Sequence, residues 1–493
     1  MPHSKSQDKP QESARNVDMR WAEQQHEAFL SSRANRIARN AATSSNLMKA
    51  ARNISTLRTY TDTFGVSVPK VGKITDQRHS GRCWMFSTFN VLRQETMHIL
   101  DVDTFEFSQA YGMFYDKLEK ANTLLENAIR MRQRPADDRE FDFTLDNGLS
   151  DGGYWTMATN LVRKWGLVPK SAMPETACSK DSSQMNPILE RLLRRDVFEL
   201  RRLSDAGATE EELRQKKAEQ LEGVYRTLAI CLGEPPLTFD LECEVGPHAD
   251  VDAALVTEQL PLPTQEEGEK PVKPKRILRD AHITPREFVE RYVRFDPDDY
   301  VELVSIPGKD RPFGHTYHVQ LWDMCQGGRP QVFLNVEHEI LEAAAIASLK
   351  EGIPCQMCCD VMQEFPRYID DMPNILATDT MDYEGLLNVS LDMDRETMYD
   401  ARETSMTHAM VFQGVELDAA GKPRAWRIEN SWGSRITEDG YLIMSADWYA
   451  LYGGGVVVRR KFVPQDLLKI WDEETPRDAM PWQGIMRALP PQH

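Results

Sequence analysis

Between Trp84 and Leu100 the apolar residues Trp84, Met85, Phe86, Phe89, Leu92 and Met97 recur at the spacing of one helix face. The same rhythm predicts a second helix from Ser108 to about Arg132. A third follows Asp151-Gly152-Gly153 and runs to Trp165, where Gly166 stops it. Upstream, residues 20–55 read as helical, with Trp21, Phe29, Leu30 and Ile37 as apolar anchors, and residues 1 to about 20 read as an arm. Residues 186–233 read as two helices. Ile188, Leu189, Leu192, Leu193, Val197 and Leu200 stripe the first, while Thr209 and Glu212 give the second a capping box before it ends ahead of Gly233. A Pro- and charge-rich surface loop, "LPLPTQEEGEKPVKPKR", spans 260–276.

Beyond that loop the apolar period shortens. "YVELVSI", "TYHVQLW", "QVFLNV", "CQMCCDV", "MTHAMVFQGVEL", "RAWRIEN", "GYLIMS" and "GGVVVRR" have strand character, with one helix predicted near Glu339–Lys350. A helical first half and a largely antiparallel β final third make an α+β chain, in which the two parts form opposite walls of a cleft.

Composition narrows the classes. With 493 residues, 41% hydrophobic and 28% charged, the chain reads as globular and long enough for several domain-sized units. No apolar run reaches the roughly 18–20 residues of a membrane span, and the polar N-terminus lacks a secretory signal's apolar core. A net charge of −18 disfavours nucleic acid and anionic membranes as partners. Arg33, Arg36 and Arg39 share one side of a helix, but such spacing ordinarily marks a solvated face. Eight scattered cysteines are not a disulfide framework, so reduced thiols and a cytoplasmic location are expected.

Cys83 follows Gly81 at a helix start, where free backbone N–H groups and the helix dipole favour a thiolate. Gln77, six residues upstream, is a neutral donor able to stabilise an oxyanion together with the Cys83 N–H. His408 opens an apolar strand and suits a base at a cleft edge; Asn430 on a neighbouring strand offers a carbonyl to orient it, and Trp432 a cover over that bond. Each signal alone is more often structural. The Cys355, Cys358 and Cys359 cluster has no matching Cys/His pair at zinc spacing and reads as a buried strand. His315 and His318 read as structural or surface residues pointing to opposite strand faces. Neither a metal nor a cofactor is expected.

Taken together, "QRHSGRCW", the strand histidine followed by Ala, and "NSWG" resemble the papain-type cysteine peptidases. More closely, "SQAYGMFYDKLEKAN", "DGGYW", "GLVPK", "TPREFVERYV", "MTHAMVFQGV", "WRIENSWG" and "GYLIMSADW" resemble the bleomycin hydrolase and aminopeptidase C branch over roughly residues 40–486. The resemblance implies a papain-like two-lobed fold with helical insertions. An N-terminal arm and helices (1–66) precede a helical lobe with the nucleophile (67–185). Then come a helical insertion and surface loop (186–283), a β-barrel-like lobe with His and Asn (284–470), and a C-terminal arm entering the cleft (471–493). It further implies Cys83 as nucleophile, His408 as general base and acid, Asn430 as its orienter, and Gln77 in the oxyanion hole. Asp151, Gly152, Gly153, Trp432 and the arm from Leu489 to His493 become the substrate-binding residues.

The activity so implied is a cytoplasmic thiol aminopeptidase, a homohexamer acting on peptides with a free N-terminus and on bleomycin-like amides. The tail departs from the family's usual ending. Arg487 replaces a glycine and Pro490-Pro491-Gln492-His493 extend past Leu489, displacing the terminal carboxylate by about 12 Å if extended. Endopeptidase or dipeptide-releasing action is therefore an alternative, and a non-catalytic hexameric scaffold is a second.

Overall fold

Four short helices lead the chain: α1 (Met19–Ser31), α2 (Arg33–Ser44), α3 (Leu47–Ala51) and α4 (Ile54–Leu57). Each is opened by an Asp, Ser or Asn side chain that accepts an amide two or three residues on. The computed structural model describes residues 17–259, 274–366, 374–434 and 440–483, so the first 16 residues of the expected arm and Leu489–His493 lie outside the described residues. In α1 and α2 no residue is buried. Trp21 and Ile37 are 50% and 57% exposed, and Leu30 is exposed as well, so the anchors expected here do not enter this chain's core. Helix α2 packs on α1 and on α3, and one such layer cannot close over its own apolar side chains.

After β1 (Val66–Ser67), a helical block contains α5 (Cys83–Leu100), α6 (Gln109–Arg130), α7 (Arg139–Asn147), α8 (Trp155–Trp165), α9 (Ala177–Lys180), α10 (Met185–Asp205) and α11 (Glu210–Leu232). Ser108 caps α6, and Thr209 with Glu212 forms the predicted capping box on α11. Leu189, Leu193, Val197 and Leu200 bury the inner face of α10, whereas Ile188, one position off that face, is 63% exposed. The following stretch is not only loop. Strands β2 (Phe239–Val245), β3 (Val256–Gln259) and β4 (Lys275–Ile283) make an antiparallel sheet in the order β2-β4-β3. Their charged outer faces and the intervening Pro-rich segment had hidden the alternation of Leu241, Cys243 and Val245 with Asp240, Glu242 and Glu244.

The short α12 (Pro285–Phe288) leads to the large sheet, whose strands are β5 (Tyr300–Val304), β6 (His315–Val319), β7 (Val332–Asn335), β8 (Cys355–Cys359), β9 (Ile375–Leu376), β10 (His408–Leu417), β11 (Pro423–Glu429), β12 (Tyr441–Ser445), β13 (Gly453–Arg459) and β14 (Arg477–Ala479). Helices α13 (His338–Lys350), α14 (Tyr383–Leu387), α15 (Arg395–Ala401), α16 (Ala446–Tyr452) and α17 (Gln465–Glu473) lie between or after them. The order is β14-β6-β7-β5-β13-β8-β10-β11-β12-β9, with β1 added beside β10. Pairing is antiparallel through the centre and parallel at β5–β7, β12–β9 and β14–β6. Among the described strands the path does not close on itself, so the barrel-like closure expected here takes the form of an open order with ends at β14 and β9.

Two large apolar cores result, besides a small cluster of Ala51 and Met381. One lies among α5, α6, α8, α10, α11 and the small sheet, and includes Phe89, Phe114, Leu125, Leu193, Leu228 and Leu278. The other fills the large sheet's far side beneath α13 and α16, and includes Leu341, Met357, Phe412, Trp426 and Trp448. Helix α5 lies against β8 and β10. Buried polar groups pin it there. The Gln356 amide on β8 reaches the Trp84 carbonyl at 3.0 Å and the Ser87 and Thr88 hydroxyls at 2.7 and 2.9 Å. Arg93 pairs with Glu429 on β11 and donates to the carbonyls of Val71 and Lys73.

A further tie reaches α8. Glu302 on β5 accepts from the Thr156 N–H at 3.1 Å, from its hydroxyl, and from Gln331 at 3.1 Å. Burial nevertheless pushes its carboxyl up to about 7, against those hydrogen bonds. A folded-state pKa above the unfolded one means that the native protein holds the extra proton between about pH 4.5 and 7, so stability falls as pH rises through that window. Glu302→Gln is expected to gain thermal stability relative to the parent from pH 5 to pH 8, by about 3 kcal/mol in total. A difference in melting temperature that stays flat with pH would refute this.

Candidate active site

Cys83 is the first residue of α5, behind an Arg82 N-cap that makes no side-chain cap, and the Cys83 and Trp84 amides face the sulfur. Arg82 itself is buried. It forms a two-point pair with Glu175 at 3.1 and 2.9 Å and donates to the Ser179 carbonyl at 2.6 Å, which fixes the turn before the helix. Burial raises the Cys83 thiol pKa; amides of Ala409, Trp84 and Cys83 pull the other way without prevailing. The helix terminus expected to lower the thiol pKa is thus present, but its effect is the smaller one.

His408, the first residue of β10, is buried, and its Nε2 lies 2.8 Å from Asn430 Oδ1. The amide orientation follows from a second contact: the Ser431 N–H donates to the same oxygen at 2.7 Å, so that oxygen is an acceptor and Nε2 carries the proton. Nδ1 is left as the basic nitrogen. Burial pushes the imidazole down to about 4, against the opposing Asn430 bond. Trp432 packs against the ring, centroids 4.8 Å apart and the planes at 30°.

Gln77 is held at both ends of its amide. Nε2 donates to the Ser80 carbonyl at 2.7 Å, and Oε1 accepts from the Ser431 hydroxyl at 2.6 Å. Its backbone N–H donates to the Ser431 carbonyl at 2.7 Å, and the Gly433 N–H donates to the Thr75 carbonyl at 3.0 Å. The strip 75–77 therefore runs beside 431–433, and Ser431 touches both Gln77 and the Asn430 amide. Sequence reasoning passed over Ser431; its place directly after Asn430 in "IENSWG" was the available signal.

Gln77, Cys83 and His408 line one cleft of about 1250 Å³, with Asn430 buried behind His408. Asp151, Gly152 and Gly153 form part of its wall. A Cβ on Gly153 would fall 2.6 Å from the Trp84 ring, so only glycine allows this approach. The Asp151 carboxylate is taken up inside the protein, by the Gly81 N–H at 3.1 Å, the Ser182 hydroxyl at 2.5 Å and Asn186 at 2.8 Å. Pro481 and Trp482, from the chain's C-terminal stretch, also line the cleft, and Trp482 packs on Phe143 and under Arg139 of α7. The part of the arm from Leu489 to His493 is outside the described residues.

The remaining sequence candidates fall elsewhere. Cys355 and Cys359 are buried on β8, and Cys358, half-buried, reaches the cleft wall. His315 and His318 on β6 are bound to the C-terminal stretch. His315 contacts Glu474 at 2.6 Å, and His318 contacts Asp478 at 3.0 Å and Asp323 at 2.9 Å. No helix among the described residues is long and apolar enough to cross a membrane.

A family model, the Peptidase C1-like family, matches residues 16–246 and 269–486. The chain belongs to that family. It is 33% identical over 451 residues to aminopeptidase C of Lactobacillus helveticus, covering 91% of this chain and 93% of the relative. It is 35% identical over 451 residues to aminopeptidase G of Lactobacillus delbrueckii subsp. lactis, covering 92% and 95%. The crystal structure of PepW from Lactobacillus rhamnosis superposes with a TM-score of 0.86 at 31% identity, covering 95% of this chain and 98% of that one.

Burial disfavours either charge alone at the cysteine and the histidine. A thiol buried in this way reacts as a thiolate only where a base takes its proton, and His408 lines the same cleft. His408→Gln is expected to slow alkylation of Cys83 by iodoacetamide at pH 7 by about 100-fold or more. Its pH profile should shift to above the usual thiol range. A profile identical to the parent's would show that the imidazole does not act on the thiol.

Proposed function

We infer that the chain is a thiol aminopeptidase that removes N-terminal residues from peptides through a cysteine acyl-enzyme. The observation that carries this reading is the meeting of Gln77, Cys83 and His408 in one cleft of a Peptidase C1-like chain, with Asn430 bonded behind the histidine. Cys83 gives its proton to His408 and attacks the carbonyl carbon of the first peptide bond. The oxyanion is met by the Cys83 N–H and the second N–H of the Gln77 amide. The His408 imidazolium then protonates the leaving amine as the C–N bond breaks. Water, deprotonated by His408, attacks the thioester and releases the amino acid and the free thiol. Asn430 keeps the imidazole in one tautomer throughout, under the cover of Trp432.

Binding falls to the wall at Asp151, Gly152 and Gly153 and to the C-terminal arm. Pro481 and Trp482 in the cleft support an arm that shortens it, leaving room for a free N-terminus and not for a continuing chain. A helical lobe with Cys83 and a sheet lobe with His408 and Asn430 close the two sides. Assembly into a homohexamer is supported by the apolar side chains that α1 and α2 leave exposed on a single chain. A reducing, cytoplasmic setting accords with eight unpaired cysteines.

Cys83→Ala is expected to abolish hydrolysis of aminoacyl amides while leaving the assembly's mass unchanged in light scattering. Ser431→Ala, which releases the oxygen end of the Gln77 amide, is expected to lower kcat by about tenfold with little change in KM. Peptides blocked by an N-acetyl group should resist cleavage. Equal rates on blocked and free peptides would replace the aminopeptidase by an endopeptidase, and hydrolysis retained by Cys83→Ala would overturn the mechanism.

A further inference from the structure

Two lysines of α6 lie buried behind the cleft wall. Lys117 and Lys120 are 1% and 0% exposed, beside Asp116 at 4%. The Lys120 ammonium has three acceptors, Asp116 Oδ2 at 3.0 Å and the carbonyls of Ser150 at 2.8 Å and Gly152 at 2.7 Å, which use all three of its N–H bonds. Lys117 donates to the Leu149 carbonyl at 2.6 Å and pairs with Asp151 Oδ1 at 2.6 Å. Together the pair holds four consecutive residues, 149 to 152, of which the last three line the cleft.

The same segment is tied forward to the nucleophile. The Asp151 carboxylate accepts the Gly81 N–H two residues before Cys83, and the Asp151 carbonyl accepts the Trp84 indole N–H at 2.7 Å. The Lys120 ammonium stands 5.4 Å from the centre of the Trp84 ring. A Cβ on Gly81 would approach Asp151 Cβ to 2.8 Å, so the two strands of chain are as close as backbones allow. Burial lowers the Lys120 pKa and raises that of Asp116. For Asp151 burial acts upward, but Lys117, Ser182 and Asn186 outweigh it and keep the carboxylate ionised. Buried ion pairs are ordinarily no more stabilising than well-packed apolar residues. What this cluster supplies is position.

We propose that Lys117 and Lys120 are positioning residues for peptide hydrolysis, setting the backbone of the cleft wall at residues 149–152 against the Gly81–Trp84 segment that presents Cys83. This rests on the thiol aminopeptidase reading above. Neither ammonium meets the substrate. Lys120 acts on the wall through the Ser150 and Gly152 carbonyls, and Lys117 acts on the nucleophile's turn through Asp151. Losing Lys120 lets the wall drift while Cys83 keeps its own surroundings, so binding suffers before reactivity does.

The test uses the full chain and two readouts, kinetics on a free tripeptide and the rate of Cys83 alkylation by iodoacetamide, a reagent too small to need the wall. Lys120→Met is expected to raise KM about tenfold, with the alkylation rate within twofold of the parent's. Lys120→Gln, which keeps an N–H donor for one carbonyl, should recover part of that loss. If Lys120→Met does not fold, Asp116→Asn, which leaves both carbonyl contacts in place, is expected to raise KM about threefold with alkylation unchanged. An unaltered KM, or hydrolysis and alkylation falling together in a folded variant, would overturn the positioning role. Parent enzyme that still hydrolyses the tripeptide after alkylation would instead overturn the thiol reading beneath it.

Discussion

The seating of α5 on the large sheet governs the cleft, because Cys83 arrives on the helix and His408 on the sheet. Apolar contacts between a helix and a sheet tolerate sliding; hydrogen bonds to particular carbonyls and hydroxyls do not. Gln356 reaching the first turn of α5, and Arg93 paired with Glu429 near its middle, place two directional ties about two helical turns apart. Breaking the Arg93–Glu429 pair would leave a buried charge uncompensated, at a cost of about 3–5 kcal/mol. The sulfur and the imidazole are thereby brought to one place by groups that take no part in the chemistry.

The same economy of contacts runs through the strip 75–77 and the segment 430–433. Ser431 has its N–H on the Asn430 amide, its hydroxyl on Gln77 and its carbonyl on the Gln77 N–H. One residue thus holds both the Asn430 amide and the Gln77 amide. Burial adds an electrostatic condition. With His408 at about 4 and the thiol above its ordinary range, neither group carries a lone charge cheaply.

Much of this was legible along the chain. Apolar periods and caps gave the limits of α5, α6, α8 and α11 closely, and strands β5–β8 and β10–β13 coincided with short apolar runs, whereas the short β9 and β14 did not stand out. Gln77, Cys83, His408 and Asn430 were each visible as residue types in suitable local settings. The small sheet was not, since its strands alternate with charged residues and are interrupted by a Pro-rich segment. Nor was the outward display of Trp21 and Ile37, because a periodic apolar face says that something will cover it and not what. Lys117 and Lys120 carry no local signal; only their complete burial marks them.

By itself, then, the sequence determined the order of the long helices and of the central strands, the cap chemistry and the set of groups able to act as nucleophile, base and donor. These depend on neighbours a few residues apart, through backbone geometry and the 3.6- and 2-residue periods. The tertiary structure alone decided that residues 325 and 347 positions apart meet, that Asp151 turns its carboxylate inward, and that burial outweighs the helix terminus at Cys83. Those outcomes depend on desolvation and on directional bonds between distant segments, which no local pattern encodes.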